Sequence, residues 1–182
     1  MLNQLIDLSI YGLIDLFFTD ESGFKMTPCV PYGWQLKGEQ VRLVPRDARK
    51  LNVLGFLDLN NRLTSYCTEE NINGNYVCKC IDDFVQRINK PTVIVLDNAP
   101  YHRCEILYSK ILKWQKRNVY IFFLPTYSPH LNRIEILWRK IKYEWLRPKD
   151  YLSRSKMVKA VKSILASFGS EYTINFKELN IT

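Results

Sequence analysis

The chain has 182 residues, 47% of them apolar, which suits one domain with a sizeable core and is too little for two full ones. Its four Trp, eleven Tyr and nine Phe argue against disorder, and five cysteines with only two histidines form neither a CxxC framework nor a zinc site, so free thiols in a reducing cytoplasm are expected. The net charge of +8 is concentrated between Arg133 and Lys162, where ten Lys/Arg face three Asp/Glu; such a block suits a polyanion, nucleic acid before membrane, or else is a plain solvated helix surface.

No apolar run reaches the roughly 18 residues that a membrane span requires. The start, MLNQLIDLSIYGLIDLFF, lacks a basic leader and carries Asp7 and Asp15, which argues against a signal peptide. GLIDLFFTD (12–20) alternates and predicts a strand ending at Asp20, with ESG as the turn after it. The stretch 28–50, broken by three prolines and two glycines, predicts a loop with a short ribbon. LNVLGFLDL and RLTSYCTEE read as two strands joined through Asn60-Asn61, a tight hairpin.

NGNYVCKCIDDFVQRINK has its apolar residues at helical spacing. TVIVLDN is a continuous apolar run, as in a strand covered on both faces, and VYIFFLP reads the same way. Helical segments follow each: CEILYSKILKWQKR after the first, LNRIEILWRKIKYEWL after the second. Two strand–helix units in succession imply parallel pairing with right-handed crossovers. A last helix, SRSKMVKAVKSILASFG, and a polar tail end the chain. The fold class is therefore α/β: a mixed sheet of five strands, an antiparallel meander followed by two parallel strand–helix units, flanked by helices.

Three acids stand at comparable places. Asp20 closes the first strand on the face of Ile14, Leu16 and Phe18. Asp97 closes TVIVL, where an Asx-turn explains it as well as a functional role does, although an acid ending an apolar strand is costly unless paired or metal-bound. Glu135 opens the helix after VYIFFLP, and Asn132 three residues before it has capping-box spacing, with Arg139 one turn on as an ion-pair partner. Capping explains Glu135 alone; all three acids together beside a basic helix suit two Mg²⁺ or Mn²⁺ ions, which prefer carboxylate oxygens and serve phosphodiester displacement.

FFTDESGF, VIVLDNAPYH and FLPTYSPHLNRIEILWRKIK resemble the three signature blocks of the DDE endonuclease domain of insertion-sequence transposases related to the Tc/mariner superfamily. YGWQLKGE and LNVLGFLD resemble it too, and the similarity runs from about residue 13 to 146. It implies an RNase H-like fold and a triad of Asp20, Asp97 and Glu135, catalytic and metal-binding, holding two Mg²⁺ or Mn²⁺. Asn98 and His102 would support the site. The implied activity is cleavage of transposon-end phosphodiesters and transfer of the 3′-hydroxyl strand into target DNA. The partners would be those two DNAs, with a homodimer as one assembly the resemblance allows. Work on the nucleoid in the cytoplasm follows, with no membrane role.

His130 stands where that family usually has an acid, and Arg133 where it often has Pro. The chain begins shortly before the first catalytic strand, so the N-terminal DNA-recognition modules are expected to be absent. The domain reading is 1–150 as the RNase H-like DDE catalytic domain, with 151–182 as a C-terminal helix and tail packed on it. Trp138 and Trp145 are expected in the core. Trp34, Lys37, Arg42 and Arg46 in the loop, and Arg133, Arg139, Lys140 and Lys142 on the helix, are the candidate DNA contacts. The alternatives are an RNase H-fold nuclease that only hydrolyses and a non-catalytic DNA-binding remnant of a transposase.

Overall fold

Every residue of the run Thr92–Leu96 is buried in the computed structural model, which describes residues 1–27, 49–97, 105–126 and 128–176. This strand, β4, lies between two parallel neighbours. On one side is β1 (Asp15–Phe24), in register from Asp15↔Thr92 to Phe18↔Val95. On the other is β5 (Val119–Phe123), from Thr92↔Val119 to Leu96↔Phe123. Strand β1 also pairs antiparallel with β2 (Leu51–Leu57), and β2 with β3 (Leu63–Thr68). The order is β3-β2-β1-β4-β5, the RNase H-like mixed sheet that the sequence implies.

Side chains alternate along β1 and so divide the interior in two. Leu16, Phe18 and Phe24 turn toward α4 (Ile134–Lys140) and α5 (Arg154–Ala166), meeting Leu137, Trp138, Met157 and Val161. Phe17 turns to the other face, where α2 (Gly74–Val85) and α3 (Glu105–Gln115) bring Ile81, Phe84, Leu107 and Trp114. Phe84 stacks on Phe56 at 4.5 Å between ring centroids and meets Phe17 edge-on at 5.0 Å. The Trp114 indole donates to Asp82 Oδ1 at 2.8 Å, tying α3 to α2. The hairpin between β2 and β3 closes on Asp58, which accepts the backbone N–H groups of Asn60 and Arg62, with Asn61 at φ 61°. Asn61 in turn bonds Ile174 both ways, at 3.0 and 2.7 Å, so the segment after α5 is laced onto the sheet.

Four elements differ from the sequence reading. Strand β1 does not stop at Asp20 for a turn; Glu21–Phe24 continue it because they pair with Leu51–Leu54. Strand β5 is an edge strand, with Tyr120 exposed, since nothing pairs on its outer side among the described residues. The helix read over 131–146 is a shorter α4 that widens into one π-helical turn, Ile141–Trp145, where Leu146 N–H reaches back to the Ile141 carbonyl. The opening residues form a helix, α1 (Leu2–Ile10), that has no fully buried residue and rests on the core through Leu2, Leu5 and Ile6. The loop with a short ribbon read over 28–50 lies outside the described residues except at its last two positions.

Candidate active site

Asp20 owes its position to unequal pairing on the two edges of β1. Pairing with β4 ends at Phe18, whereas pairing with β2 continues through Asp20↔Gly55 to Phe24↔Leu51. At Thr19 and Asp20 the β4-side edge is therefore open, and its backbone groups need other partners. Asn132, only 3% exposed, supplies one: its Nδ2 donates to the Thr19 carbonyl at 3.0 Å. This corrects the capping-box reading. Arg133 occupies the N-cap of α4 with no side-chain cap, and Glu135 N–H bonds the Asn132 backbone carbonyl at 3.1 Å. The amide that would have capped the helix instead fastens the helix entrance to the strand bearing Asp20.

The side chain of Asp20 lies on the α4 side, 8% exposed, and its Oδ2 accepts the indole N–H of Trp138 at 3.0 Å. Trp138 reaches it by crossing β2 at Gly55. A Cβ at that glycine would stand 2.8 Å from Ile134 Cδ1 and 2.9 Å from Trp138 Cη2, closer than packed carbons approach. Trp138 is thus core, as read, but also the donor that holds the Asp20 carboxyl. A buried indole must find an acceptor, and its place one turn after Glu135 was the signal available for it.

Glu135 is half-buried in the first turn of α4, near enough to Asp20 for the two carboxyls to act on each other. Burial is the largest cause pushing the Asp20 pKa well above the carboxylate range, followed by the charges of Glu135 and Glu21, and Asp97 adds to it. Glu135 is raised as well, first by burial; Lys142 opposes this, Asp97 reinforces it, and the Asp20 side chain opposes it. Asp97 follows β4 directly and is half-buried. The fold therefore brings the three expected acids to one rim of the sheet, where Glu135 and Asp97 each act on Asp20 through their charge.

Carboxylates crowded in this way form the donor set that hard divalent cations prefer. Among the described residues, however, no three His, Cys, Asp or Glu side chains are grouped closely enough to hold a metal ion between them.

Of the other expected site residues, Lys142 lies 5.5 Å above the Phe24 ring and within charge range of Glu135. Arg139 is exposed and Arg133 half-buried, while Lys140 is bound to Glu144 at 2.6 Å. Asn98, His102, Trp34, Lys37, Arg42 and Arg46 lie outside the described residues. Trp145 packs beside Phe168 and Tyr172.

Residues 15–158 match the family model described as DDE superfamily endonuclease. A 39 kDa protein of insertion element IS630 from Shigella sonnei is 27% identical over 157 residues, covering 82% of this chain and 44% of that protein. Among solved structures, the Mos1 mariner paired-end complex with Mn is similar at TM-score 0.59 and 16% identity, over 91% of this chain and 52% of that one. The Mos1 transposase catalytic domain with Raltegravir and Mn is similar at TM-score 0.58 and 14% identity, over 91% of this chain and 76% of that one. These structural likenesses are of fold. The chain spans about half the length of the insertion-element protein and of the full Mos1 chain.

Proposed function

Because the chain belongs to the DDE superfamily endonuclease family, we propose that it is a transposase catalytic core that cuts transposon-end phosphodiesters and joins the freed 3′-hydroxyl to target DNA. The observation that carries this reading is the placement of the acids: β1 runs parallel beside β4, so Asp20 and Asp97 reach the same rim, and α4 carries Glu135 in its first turn and, one turn on, the Trp138 that donates to Asp20 Oδ2. A fold gains nothing from concentrating acids on a rim where repulsion and burial oppose their charge. A cation turns that cost into binding energy.

Asp20, Asp97 and Glu135 would hold Mg²⁺ or Mn²⁺, two ions in the working complex. When bound, they supply the Lewis acidity that activates the attacking hydroxyl and steadies the departing oxygen. The chain's own residues prepare the site. Trp138 fixes the Asp20 carboxylate, Asn132 anchors the strand beneath it, and Lys142 favours the ionised form of Glu135. Asn98 and His102, next to Asp97 in sequence, are proposed as supporting groups.

The catalytic domain is proposed to be 1–150, with 151–182 as an extension of it; Met157, Val161, Ile164 and Leu165 lie in the same core as α4 and so support that division. The partners would be transposon-end and target DNA, met on the nucleoid in the cytoplasm, with a homodimer as the working assembly. Incubation with Mn²⁺ and supercoiled plasmid tests the reading. The wild-type chain nicks, and Asp97→Ala does not. Nicking that persists in Asp97→Ala overturns the triad, and nicking without joining of a 3′-hydroxyl end identifies a purely hydrolytic nuclease.

A further inference from the structure

A groove of about 790 Å³ opens on the α4–α5 face, lined by Arg49, Arg154, Ser155, Lys159, Lys162 and their neighbours on α5. Four of its lining residues are cations and none is an acid. Glu69, at its border, pairs with Arg154 at 2.8 Å; its pKa is lowered first by that bond and also by the charges of Arg49 and Lys162, so the positive field extends over the groove mouth.

Strand register locates this groove relative to the acids. Asp20 pairs with Gly55 and Gly55 with Ser65, so Ser65 marks the row of Asp20 on β3. Glu69 lies four residues further on, roughly 13 Å along the strand and about 10 Å across two strand spacings. Arg49 precedes Leu51, the partner of Phe24 at the far end of β1. The groove and the acids thus share one face and one rim of the sheet. From Arg154 to Lys162 the row of cations runs roughly 12 Å along α5, comparable to the axial rise of three or four base pairs at about 3.4 Å each.

We propose that this groove binds the phosphate backbone of duplex DNA flanking the bond held at Asp20, Asp97 and Glu135. The inference rests on the catalytic reading above for its choice of ligand. Lys159 and Lys162, one turn apart and both exposed, are the free cationic arms; Arg154 is the partly buried base of the groove, steadied by Glu69. Ser155 and Ser163 add neutral donors along the same helix face. A strand bound here would leave the acid cluster with its backbone already neutralised, which fixes the approach direction of the duplex.

The test measures binding of a labelled DNA duplex by anisotropy over a range of salt, in EDTA so that no divalent ion participates. Lys159→Ala with Lys162→Ala should reduce the slope of log K against log salt by roughly 1.8, two phosphate contacts' worth. Lys116→Ala with Arg117→Ala removes the same charge from exposed positions just before β5, on the opposite rim, and should leave the slope near the wild-type value. Lys159→Gln with Lys162→Gln keeps side-chain length and should match the alanine pair, and melts of each variant confirm the fold.

Equal losses in the two pairs, or no loss in the groove pair, overturn the proposal. Failure of the catalytic reading is read separately: a chain that binds through the groove yet never nicks with Mn²⁺ refutes that reading alone. A chain that nicks while its slope ignores Lys159 and Lys162 refutes only the groove.

Discussion

Strand β1 carries two aspartates five residues apart whose surroundings are opposite. Asp15, at one rim, is bound by Arg62 at 2.7 Å and Lys90 at 3.2 Å. Although burial pushes its pKa up, those two cations outweigh burial and hold it below the usual carboxylate value. Asp20, at the other rim, receives an indole N–H and the company of Glu135, Glu21 and Asp97, and its pKa is driven up. The first acid is neutralised by the fold itself. The second meets further acids instead, and this contrast, rather than burial alone, is what the proposed function uses.

The largest effect on this contrast is expected at Gly55. Gly55→Ala puts a methyl against Ile134 and Trp138, so Trp138 must withdraw from Asp20, at a cost of about 1–3 kcal/mol as for other overpacked cores. Denaturant unfolding measures the loss, and plasmid nicking should fall by more than the lost stability explains. Trp138→Phe attacks the same contact from the other side: it keeps an aromatic ring but removes the pyrrole half of the indole, and with it the donor to Asp20 Oδ2. It should cost roughly 1–3 kcal/mol, the value of leaving a buried acceptor unpaired, and it should weaken the Mn²⁺-induced rise in melting temperature. An unchanged Mn²⁺ response would show that the indole does not orient the carboxylate.

The smallest effects are in the pH dependence and have opposite signs at the two rims. The folded pKa of Asp15 is lowered, so its stabilisation is present above the unfolded value and lost as pH falls through the folded one. Asp15→Asn should therefore cost up to about 1 kcal/mol at neutral pH, because Arg62 is largely exposed, and nothing in acid. The folded pKa of Asp20 is raised, so its contribution is present below the unfolded value and lost as pH rises through the folded one. Without divalent cations, Asp20→Asn should then flatten the decline of melting temperature with rising pH. A steeper decline in that variant would contradict the assignment of repulsion to this rim.

The contrast between the two aspartates was only half legible in the sequence. Periodicity placed Asp20 on the face of Leu16 and Phe18, and the apolar run before Asp97 identified a central parallel strand. The pairing of Glu21–Phe24 was not legible, because Glu-Ser-Gly has turn composition and only the β2 register holds it extended. Nor was the destination of Asn132. Its spacing from Glu135 fits a local cap, but the open edge at Thr19 is a tertiary demand that outcompetes it. The π-turn after α4 likewise has no local signature, since Ile141–Trp145 continue a good helical pattern. Trp138 shows the same limit: its apolar character was plain, while its hydrogen-bond partner lies 118 residues away in sequence.

Glu135 is proposed to stand beside Asp20 to bind a cation rather than to begin a helix. Glu135→Gln tests it most directly, through thermal melts with and without Mn²⁺ alongside the plasmid assay. Without cation the variant should be at least as stable as wild type, because a repelling carboxylate is gone, with no Mn²⁺-induced rise in melting temperature and no nicking. A Gln variant that still nicks, with the wild-type rise in melting temperature, would contradict that role.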